Sequence, residues 1–348
     1  MKLDDLMKQM GEWLKGTGPY SDIVLSSRIR LARNLANIPF SHWAQKKEKE
    51  KVLELTTPVI LDLPYMKNCL FLKIGELNNL DKQFLLERHL VSREHITTAN
   101  SKAVAISDNE VISIMINEED HLRIQVIESG LNLNDVWALI DKIDTELSEY
   151  LEYAFSPEWG YLTACPTNTG TGIRASVMLH LPALVITKQI NKVLHAIIKI
   201  GMAARGFYGE GTEAAGNFFQ ISNQVTLGHK EEELIGNLER IIKQVIEHET
   251  NARTTLLSQQ KDALNDRIWR SLGMLKSAYI MTSQEAMEHL SGVRLGVDIG
   301  LIKDINRSQL NDLFLTIQPA HLQKLEGKTL TASQRDTRRA ALIREKLG

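Results

Sequence analysis

Two short segments of the chain contain residue types whose spacing could support phosphoryl transfer. Residues 117–123 read NEEDHLR, and residues 165–174 read CPTNTGTGIR. Each segment places a reactive group, a carboxylate in the first and a thiol in the second, a few residues before an arginine on a predicted strand. Arginine holds phosphate oxygens with a planar fork of donors, whereas carboxylates hold cations. The combination is typical of phosphoryl transfer to a positively charged acceptor.

Arginines recur on three predicted strands, at positions that alternate with apolar residues. Arg28 and Arg30 lie on the first of these strands, Arg123 on the second and Arg174 on the third. Because successive side chains of a strand point to opposite faces, these arginines lie opposite the apolar face. An ordinary solvated face would explain any one strand, but three such strands beside unusual loops favour a polar cleft on one side of a sheet.

Two loops contain glycines that suit a ligand-binding backbone. The loop at 165–172 includes a proline, an asparagine and two glycines, so its backbone can approach a ligand closely. The glycine-rich segment at 205–213 is compatible with a mobile lid. The alternatives are a plain turn for the first loop and a strand connection without chemistry for the second.

Several familiar nucleotide-binding signatures are missing from the sequence. It contains no GxxxxGK[ST] phosphate-binding loop, no protein-kinase glycine loop and no HRD catalytic loop. The ten histidines show no paired metal-ligand spacing, which argues against a structural zinc site. A phosphoryl transferase with this sequence must therefore hold its nucleotide mainly with arginines.

Length and composition predict a folded chain of one or two domains. The 348 residues are 43% hydrophobic and 24% charged, which argues against disorder. The formal net charge of -2 argues against direct nucleic-acid binding, and two cysteines imply no disulfide framework. The N-terminus lacks a signal-peptide pattern and no apolar stretch is long enough to cross a bilayer, so we predict a cytoplasmic protein.

The spacing of apolar residues predicts an α+β fold, with an antiparallel β-sheet flanked by helices and followed by a C-terminal helical domain. A hairpin is predicted from 102–106 and 111–116, with 121–127 as a third strand. We place a domain division near Asn251, between residues 1–250 and residues 251–348. Further strands are predicted at 21–30, 173–181 and 217–222, and helices at 45–56, 80–90, 133–153, 186–204, 255–275, 283–290, 306–316, 319–325 and 332–346.

Four motifs, in the family's order, resemble the nucleotide and guanidino-substrate motifs of the phosphagen (guanidino) kinases. They are residues 26–30, 117–123, 165–168 and 205–210. The chain departs from the animal enzymes in lacking their N-terminal helical domain and in having a helical C-terminal extension with RDTRRA at 335–340. This combination is similar to the bacterial protein arginine kinases.

The resemblance implies roles for individual residues. It implies that Glu119 is the catalytic carboxylate, that Glu210 is a second carboxylate holding the guanidinium, and that Cys165 is a thiol beside it. For Cys165 the alternative is a structural cysteine. The residues implied to bind ATP, with its Mg²⁺, are Arg28, Arg30, His89, Arg123, Arg174 and Arg205. The residues implied to form a regulatory phosphoarginine site are Arg335, Asp336, Arg338, Arg339 and Ala340, for which a solvated basic helix end is the alternative.

The implied function is ATP-dependent phosphorylation of arginine residues in proteins, as a mark in stress response and quality control. Two other hypotheses are a kinase for free arginine or another small guanidino compound, and a phosphoarginine-binding adaptor with a vestigial kinase site. The presence of both Glu119 and Glu210 argues against the adaptor. The implied partners are protein substrates that present arginine, an activator protein, and a repressor or protease–chaperone system, and the C-terminal helices could form a homodimer interface.

Overall fold

An eight-stranded antiparallel sheet organises the first two thirds of the protein. The computed structural model describes residues 2–98, 100–206 and 215–348. The order of strands across the sheet is β2-β3-β4-β5-β1-β8-β10-β9, and a separate hairpin consists of β6 and β7. The strands are β1 (Val24–Arg33), β2 (Leu70–Lys73), β3 (Ala103–Ile106), β4 (Ile112–Ile116), β5 (Leu122–Ser129), β6 (Phe155–Ser156), β7 (Gly160–Tyr161), β8 (Ile173–His180), β9 (Met202–Gly206) and β10 (Phe218–Asn223).

Helices pack on one face of this sheet and on parts of the other, and they form the C-terminal part of the chain. They are α1 (Lys46–Asp62), α2 (Asn79–Glu87), α3 (Arg93–Thr97), α4 (Leu133–Ser148), α5 (Pro182–Ile186), α6 (Ile190–Lys199), α7 (Glu231–Gln259), α8 (Lys261–Ser277), α9 (Ser283–Asp298), α10 (Arg307–Thr316), α11 (Pro319–Glu326) and α12 (Ala332–Leu347). α4 packs against β1 and β5, α7 against β8 and β10, and α1 against β3 and β4. The α+β fold predicted from the sequence is confirmed.

The central strand β1 shows how the sequence pattern separates the core from the site. Ile29 pairs with Val126 on one side and with Ala175 on the other, and all three side chains are fully buried. Because side chains alternate along a strand, Arg28 and Arg30 must then lie on the opposite face. The apolar face stabilises the fold by about 1.5–3 kcal/mol for each large side chain that it buries.

The helix predicted at 186–204 is wrong in its last part. α6 ends at Lys199, and Met202–Gly206 forms the edge strand β9. Gly201 has a φ of 80°, a conformation that glycine adopts without strain and that ends the helix. Ala203 and Ala204 have high helix propensity, but their pairing with Ser222 and Ile221 of β10 overrides it.

α7 is a single helix of 29 residues that passes through Asn251 without interruption. Arg253 on this helix donates to the carboxylates of Glu249 and Asp22, and Glu249 accepts hydrogen bonds from the backbone of α5. The helix therefore joins the sheet to the C-terminal helices, and the domain division near Asn251 stays a prediction.

Candidate active site

Five arginines lie together on the sheet face opposite α4 and α7. Residues directly opposite each other in a sheet point to the same side, so the strand register fixes this arrangement. Arg30 pairs with Arg174 on β8 and with Gln125 on β5, two residues after Arg123. Arg205 on β9 pairs with Gln220, whose side chain accepts a hydrogen bond from Arg28 at 3.0 Å. The register thus brings together the four arginines that were predicted on three strands, Arg28, Arg30, Arg123 and Arg174, and it adds Arg205 from β9, where no strand was predicted.

The positive charge of this arginine face is mostly uncompensated. Arg28 donates to the neutral groups of Gln220 and Ser176, and Arg174 donates to the Ser222 hydroxyl at 3.5 Å. Among the described residues, only one of the five arginines forms an ion pair with a carboxylate: Arg123 contacts Glu118 at 2.5 Å.

Crowding and burial make these guanidinium groups less stable in the charged form. Burial, with repulsion from Arg123 and Arg174, lowers the pKa of Arg28 to about 10. Burial and the charge of Arg28 lower the pKa of Arg30 well below its usual value, and its Nε is buried without a hydrogen-bond partner among the described residues. Guanidinium groups in this state gain from a bound polyanion, and phosphate oxygens match their geometry.

Two adjacent glutamates occupy different environments beside the arginine face. The buried carboxylate of Glu118 accepts hydrogen bonds from Arg123, from Ser92 Oγ at 2.5 Å and from the backbone N–H of Glu119 at 2.8 Å. Burial acts to raise the pKa of Glu118, but Arg123 and these donors outweigh it and hold the pKa at about 2. Glu118 is therefore ionised and holds the side chain of Arg123 in a fixed orientation.

Glu119 is half-buried, and its side chain has a different electrostatic setting. Burial, followed by the negative charges of Asp120 and Glu118, raises the pKa of Glu119. Within the part of the chain that the structure describes, no donor forms a hydrogen bond with its carboxylate. A cationic substrate would relieve this concentration of negative charge, so Glu119 is suited to bind a guanidinium.

Cys165 lies in a loop whose backbone is held at several points. Thr163 Oγ1 donates to the carbonyl of Cys165 at 2.7 Å, and Thr226 Oγ1 contacts the carbonyls of Thr167 and Thr169 at 3.0 and 2.7 Å. The Cys165 thiol is half-buried, contacts Thr167 Oγ1 at 3.0 Å and is close enough to interact electrostatically with Arg174. The structure thus places Cys165 beside the arginine face on an anchored loop.

His89 lies at the end of α2, in the αL conformation with a φ of 59°. Its ring meets the Trp13 ring edge-on at 5.2 Å between centroids, and its carbonyl accepts a hydrogen bond from Gln125. Burial and the nearby charge of Arg28 lower the pKa of His89 to about 3, so the ring is neutral at pH 7. A small cavity beside these residues is also lined by Met178. The rings of His89 and Trp13 give this cavity an uncharged aromatic side, and the guanidinium of Arg28 lines it as well.

Other predicted site features fall outside the geometry just described. Glu210 lies outside the described residues, as does most of the glycine-rich segment that begins at Arg205. Among residues 2–98, 100–206 and 215–348, no cluster of three or more His, Cys, Asp or Glu side chains could hold a metal ion. In the same ranges no helix is long and apolar enough to cross a membrane.

Several supporting residues were missed by sequence reasoning. Glu118 and Asp120 were visible in the NEEDHLR motif but had no assigned role. Gln220 lies on the strand predicted at 217–222, at a position whose parity matches that of Ser222. Alternation within that strand was a usable signal for Gln220. Asn34 gave no comparable signal, because its contacts are made with distant segments.

Comparisons with known proteins identify the family of the chain. The model of the ATP:guanido phosphotransferase C-terminal catalytic domain matches residues 52–252, and that of the protein-arginine kinase McsB C-terminal domain matches residues 261–348. A protein-arginine kinase of Halothermothrix orenii is 50% identical over 351 residues, covering 100% of this chain and 99% of the relative. One of Symbiobacterium thermophilum is 48% identical over 338 residues and 96% of each chain. The chain belongs to the protein-arginine kinase family.

Solved structures of more distant phosphagen kinases share the fold. A lombricine kinase superimposes with a TM-score of 0.60 at 23% identity, covering 71% of this chain and 75% of that one. A duplicated taurocyamine kinase from Schistosoma mansoni, with bound transition-state-analogue components, gives a TM-score of 0.62 at 23% identity over 70% of this chain and 35% of that one. Membership of the protein-arginine kinase family makes the chain a phosphotransferase.

The C-terminal residues predicted to bind phosphoarginine lie on α12 and differ in their contacts. Arg339 is buried and donates to the carbonyls of Ile317 and Met281, both at 2.9 Å, and to Asp336 at 2.5 Å. Ala340 is also buried. Arg338 donates to the carboxylates of Glu326 and Glu345 at 2.5 and 2.9 Å.

The remaining pair of that predicted site is more accessible. Arg335 donates to the carbonyl of Leu330 at 3.1 Å, and its side chain, like that of Asp336, is only half-buried. Arg339 therefore fastens α12 to the segments before α9 and α11, whereas Arg335 and Asp336 still reach solvent.

Proposed function

We propose that this phosphotransferase transfers the γ-phosphoryl group of ATP to the guanidino group of arginine residues in proteins. The observation that carries the proposal is the arginine face itself. Five guanidinium groups lie on one side of the sheet, and among the described residues only one of them, that of Arg123, is paired with a carboxylate. The half-buried Glu119 lies next to them. The names of the full-length relatives support a protein as the phosphoryl acceptor.

The residues of the site suggest how transfer proceeds. An arginine guanidinium is protonated at neutral pH and is a poor nucleophile. Glu119 holds the guanidinium so that one nitrogen is in line with the γ-phosphorus, and Glu210 is proposed as the second carboxylate of this grip. As the N–P bond forms and the bond from phosphorus to the ADP oxygen breaks, Glu119 accepts the proton that the nitrogen loses. The products are ADP and phosphoarginine.

The arginine face supplies the electrostatic part of the rate. Arg28, Arg30, Arg174 and Arg205 bind the phosphate oxygens of ATP, and Arg123 does so from the orientation that Glu118 imposes. These charges are fixed before the reaction and face the oxygens on which negative charge is distributed in the transition state. Cys165, beside Arg174, contacts the guanidinium from the loop side.

Mg²⁺ fits this site as an ion that is bound together with ATP. The described residues contain no preformed cluster of three metal-binding side chains. Mg²⁺ in kinases commonly keeps water and phosphate oxygens as ligands and takes only one or two carboxylates from the protein. Bound in this way, the ion would neutralise phosphate charge, while the arginines and Glu119 carry out the steps assigned to them above.

The finer assignments that follow from the family are also part of the proposal. His89 contacts the nucleotide, next to Arg28. Arg335 and Asp336 bind phosphoarginine as a regulatory ligand, with Arg338, Arg339 and Ala340 shaping the site. The enzyme acts in the cytoplasm in stress response and protein quality control, with an activator protein and a repressor or protease–chaperone system as partners.

A homodimer is proposed on the basis of the C-terminal helices. Trp269 and Met274 on α8 are largely exposed, as are Tyr279 and Ile280 in the segment that follows. Clusters of exposed large apolar residues on a folded protein commonly mark interaction surfaces. Light scattering during size-exclusion chromatography would separate a dimer from a monomer.

The proposed function is tested by mass spectrometry of a folded, arginine-containing protein after incubation with ATP and the enzyme. The samples are kept at neutral pH, because a phosphoramidate bond is labile in acid. A gain of one phosphate on arginine residues, absent with Glu119→Gln, is the expected result. Free arginine is assayed in parallel. Phosphorylation of free arginine with none on protein would replace the proposed acceptor, and ATP consumption with neither product would overturn the proposal.

A further inference from the structure

A buried carboxylate joins the two segments that carry Glu119 and Cys165. Asp120 Oδ1 accepts a hydrogen bond from the backbone N–H of Ala164 at 2.7 Å and another from Asn34 Nδ2 at 2.6 Å. Asp120 follows Glu119 directly, and Ala164 directly precedes Cys165. The Oδ1 atom of Asp120, the residue after Glu119, therefore binds the backbone of Ala164, the residue before Cys165.

Both the amide nitrogen and the amide oxygen of Asn34 form further hydrogen bonds that extend this connection. Its amide nitrogen also donates to the carbonyl of Leu162, at 3.0 Å, and its amide oxygen accepts the backbone N–H of His121 at 2.9 Å. Asn34 thus contacts the segment that directly follows Glu119 and the segment that leads to Cys165. Asp120 and Asn34 are 2% and 1% exposed, so water cannot substitute for these contacts at low cost.

The flanking backbone holds Asn34 itself in place. Its carbonyl accepts a hydrogen bond from the backbone N–H of Ala154 at 2.8 Å, and the next residue, Leu35, donates its backbone N–H to His121 Nδ1 at 3.0 Å. Asn34 follows Arg33, the last residue of β1, whose earlier part carries Arg28 and Arg30. The end of the central strand is therefore the common support of the acceptor side of the site.

We propose that Asp120 and Asn34 are positioning residues that fix Glu119 relative to the Cys165 loop and so set the orientation of the bound guanidinium. This inference rests on the proposed function, because it concerns the same site and its acceptor. Neither residue touches a reacting atom. They act through the backbone, and a shift of about 1 Å in such a support is enough to lower a transfer rate roughly a hundredfold.

The charge of Asp120 gives the pair a second effect on the site. Its carboxylate is one of the two negative groups that, after burial, raise the pKa of Glu119. Burial also raises the pKa of Asp120, and the hydrogen bonds from Ala164 and Asn34 oppose this. Removing the charge at Asp120 while retaining an acceptor oxygen is expected to move the acidic limb of the pH–rate profile to lower pH. A purely structural role would not move that limb.

The test compares variants that remove the connecting oxygen with one that keeps it. Asp120→Ala and Asn34→Ala remove the connection from either end, whereas Asp120→Asn retains an oxygen that can accept both hydrogen bonds. We expect kcat to fall roughly a hundredfold in Asp120→Ala with the KM for ATP unchanged, and to recover by about tenfold in Asp120→Asn. The double variant Asp120→Ala with Asn34→Ala should lose little more than the worse single one, since the two residues act as a unit.

The matched control is Glu249→Gln. Glu249 is also a fully buried carboxylate that accepts backbone N–H groups, those of Ala183 and Leu184, and it lies on α7 away from the site. Its replacement should lower the melting temperature and leave kcat unchanged. If Asp120→Ala behaves like Glu249→Gln, with lower stability and normal kcat per folded molecule, the positioning role is overturned.

A second measurement does not depend on turnover or on the identity of the acceptor. Alkylation of Cys165 is followed by mass spectrometry, with Cys69, also half-buried, as the internal reference. The expected result is a changed rate at Cys165 in Asp120→Ala, a restored rate in Asp120→Asn and a constant rate at Cys69. Unchanged alkylation of Cys165 in Asp120→Ala and Asn34→Ala would refute the connection even if the wild-type protein phosphorylated no arginine. Absence of arginine phosphorylation by the wild type would instead refute the proposed function.

Discussion

Arg123 and Glu118 form an ion pair of 2.5 Å at the edge of the arginine face, five residues apart in the chain. Glu118 also accepts the backbone N–H of Glu119, so the same carboxylate contacts Arg123 of the arginine face and the backbone of Glu119. In the proposed mechanism, the pair therefore links the arginines that bind the nucleotide to the glutamate that binds the acceptor. The other four arginines of the arginine face form no ion pair with a carboxylate among the described residues.

Glu118→Gln is expected to lower the free energy of unfolding at neutral pH. It should also reduce the loss of that free energy as the solution is acidified. The pKa of Glu118 is about 2 in the folded state and about 4.5 in the unfolded state, so its stabilisation is complete above pH 4.5 and is lost as the pH falls towards 2. The difference corresponds to about 3 kcal/mol. Urea unfolding of both proteins at pH 7 and pH 3 measures it. An equal gap in unfolding free energy at the two pH values would contradict the assignment.

Arg174→Ala and Arg123→Ala are expected to weaken ATP binding and phosphoryl transfer together. Each substitution removes a charge-assisted contact to phosphate worth roughly 1.5–3 kcal/mol, or about tenfold to a hundredfold in affinity. Titration calorimetry with a non-hydrolysable ATP analogue gives the affinity directly. Arg270→Ala is the control, because Arg270 is an exposed arginine on α8 with a loose ion pair. Unchanged affinity in both site variants would make the arginine face an ordinary solvated surface.

Glu119→Gln and Glu210→Gln are each expected to abolish transfer while ATP binding and folding remain nearly intact. Both carboxylates are proposed to hold the acceptor, and neither is proposed to hold the nucleotide. In the wild-type enzyme, Glu119 must be ionised to bind a guanidinium. Because burial and the charges of Asp120 and Glu118 raise its pKa, activity should fall with acidification at a pH above 4.5. Near-normal turnover in either variant would remove that residue from the proposed mechanism.

Local alternation was sufficient to predict most of the sheet and the side on which its arginines lie. The parity of Arg28, Arg30, Arg123 and Arg174 could be read within each strand, because a half-buried strand repeats every two residues. The order of strands could not be read, since the pairing of β1 with β8 joins segments nearly 150 residues apart. That pairing is what places Arg30 directly opposite Arg174.

The segment before the glycine-rich loop shows where local reasoning failed. Apolar residues at helical spacing continue from α6 towards Met202, and nothing in that pattern indicates where the helix ends. The partner strand β10 decides the outcome, because it has a free edge that Met202–Gly206 completes. The contacts of Asn34 and Asp120 were invisible for the same reason, because the hydrogen bonds of Asn34 span more than 80 residues.

The C-terminal helix α12 allows a prediction that separates regulation from stability. Arg339 is buried, and its donors satisfy two backbone carbonyls and Asp336, so Arg339→Ala should destabilise the C-terminal helices. Leaving a buried carbonyl without its donor typically costs about 1–3 kcal/mol, and Arg339→Ala does so at both Ile317 and Met281. Thermal unfolding should detect this loss, whereas Arg335→Ala, at a half-buried side chain, should leave the melting temperature nearly unchanged.

Arg335→Ala and Asp336→Ala are expected to remove activation by phosphoarginine and to spare the basal rate. A phosphoarginine ligand needs an arginine for its phosphate and a carboxylate for its guanidinium, and these two half-buried residues are adjacent on α12. Titrating free phosphoarginine while following ATP turnover measures the response, with Arg270→Ala as the control for loss of one exposed positive charge. Asp336 also accepts a hydrogen bond from Arg339, so the Arg335 variant is the cleaner of the two. If phosphoarginine activates the wild type and the Arg335 variant identically, α12 is a basic helix without a regulatory site.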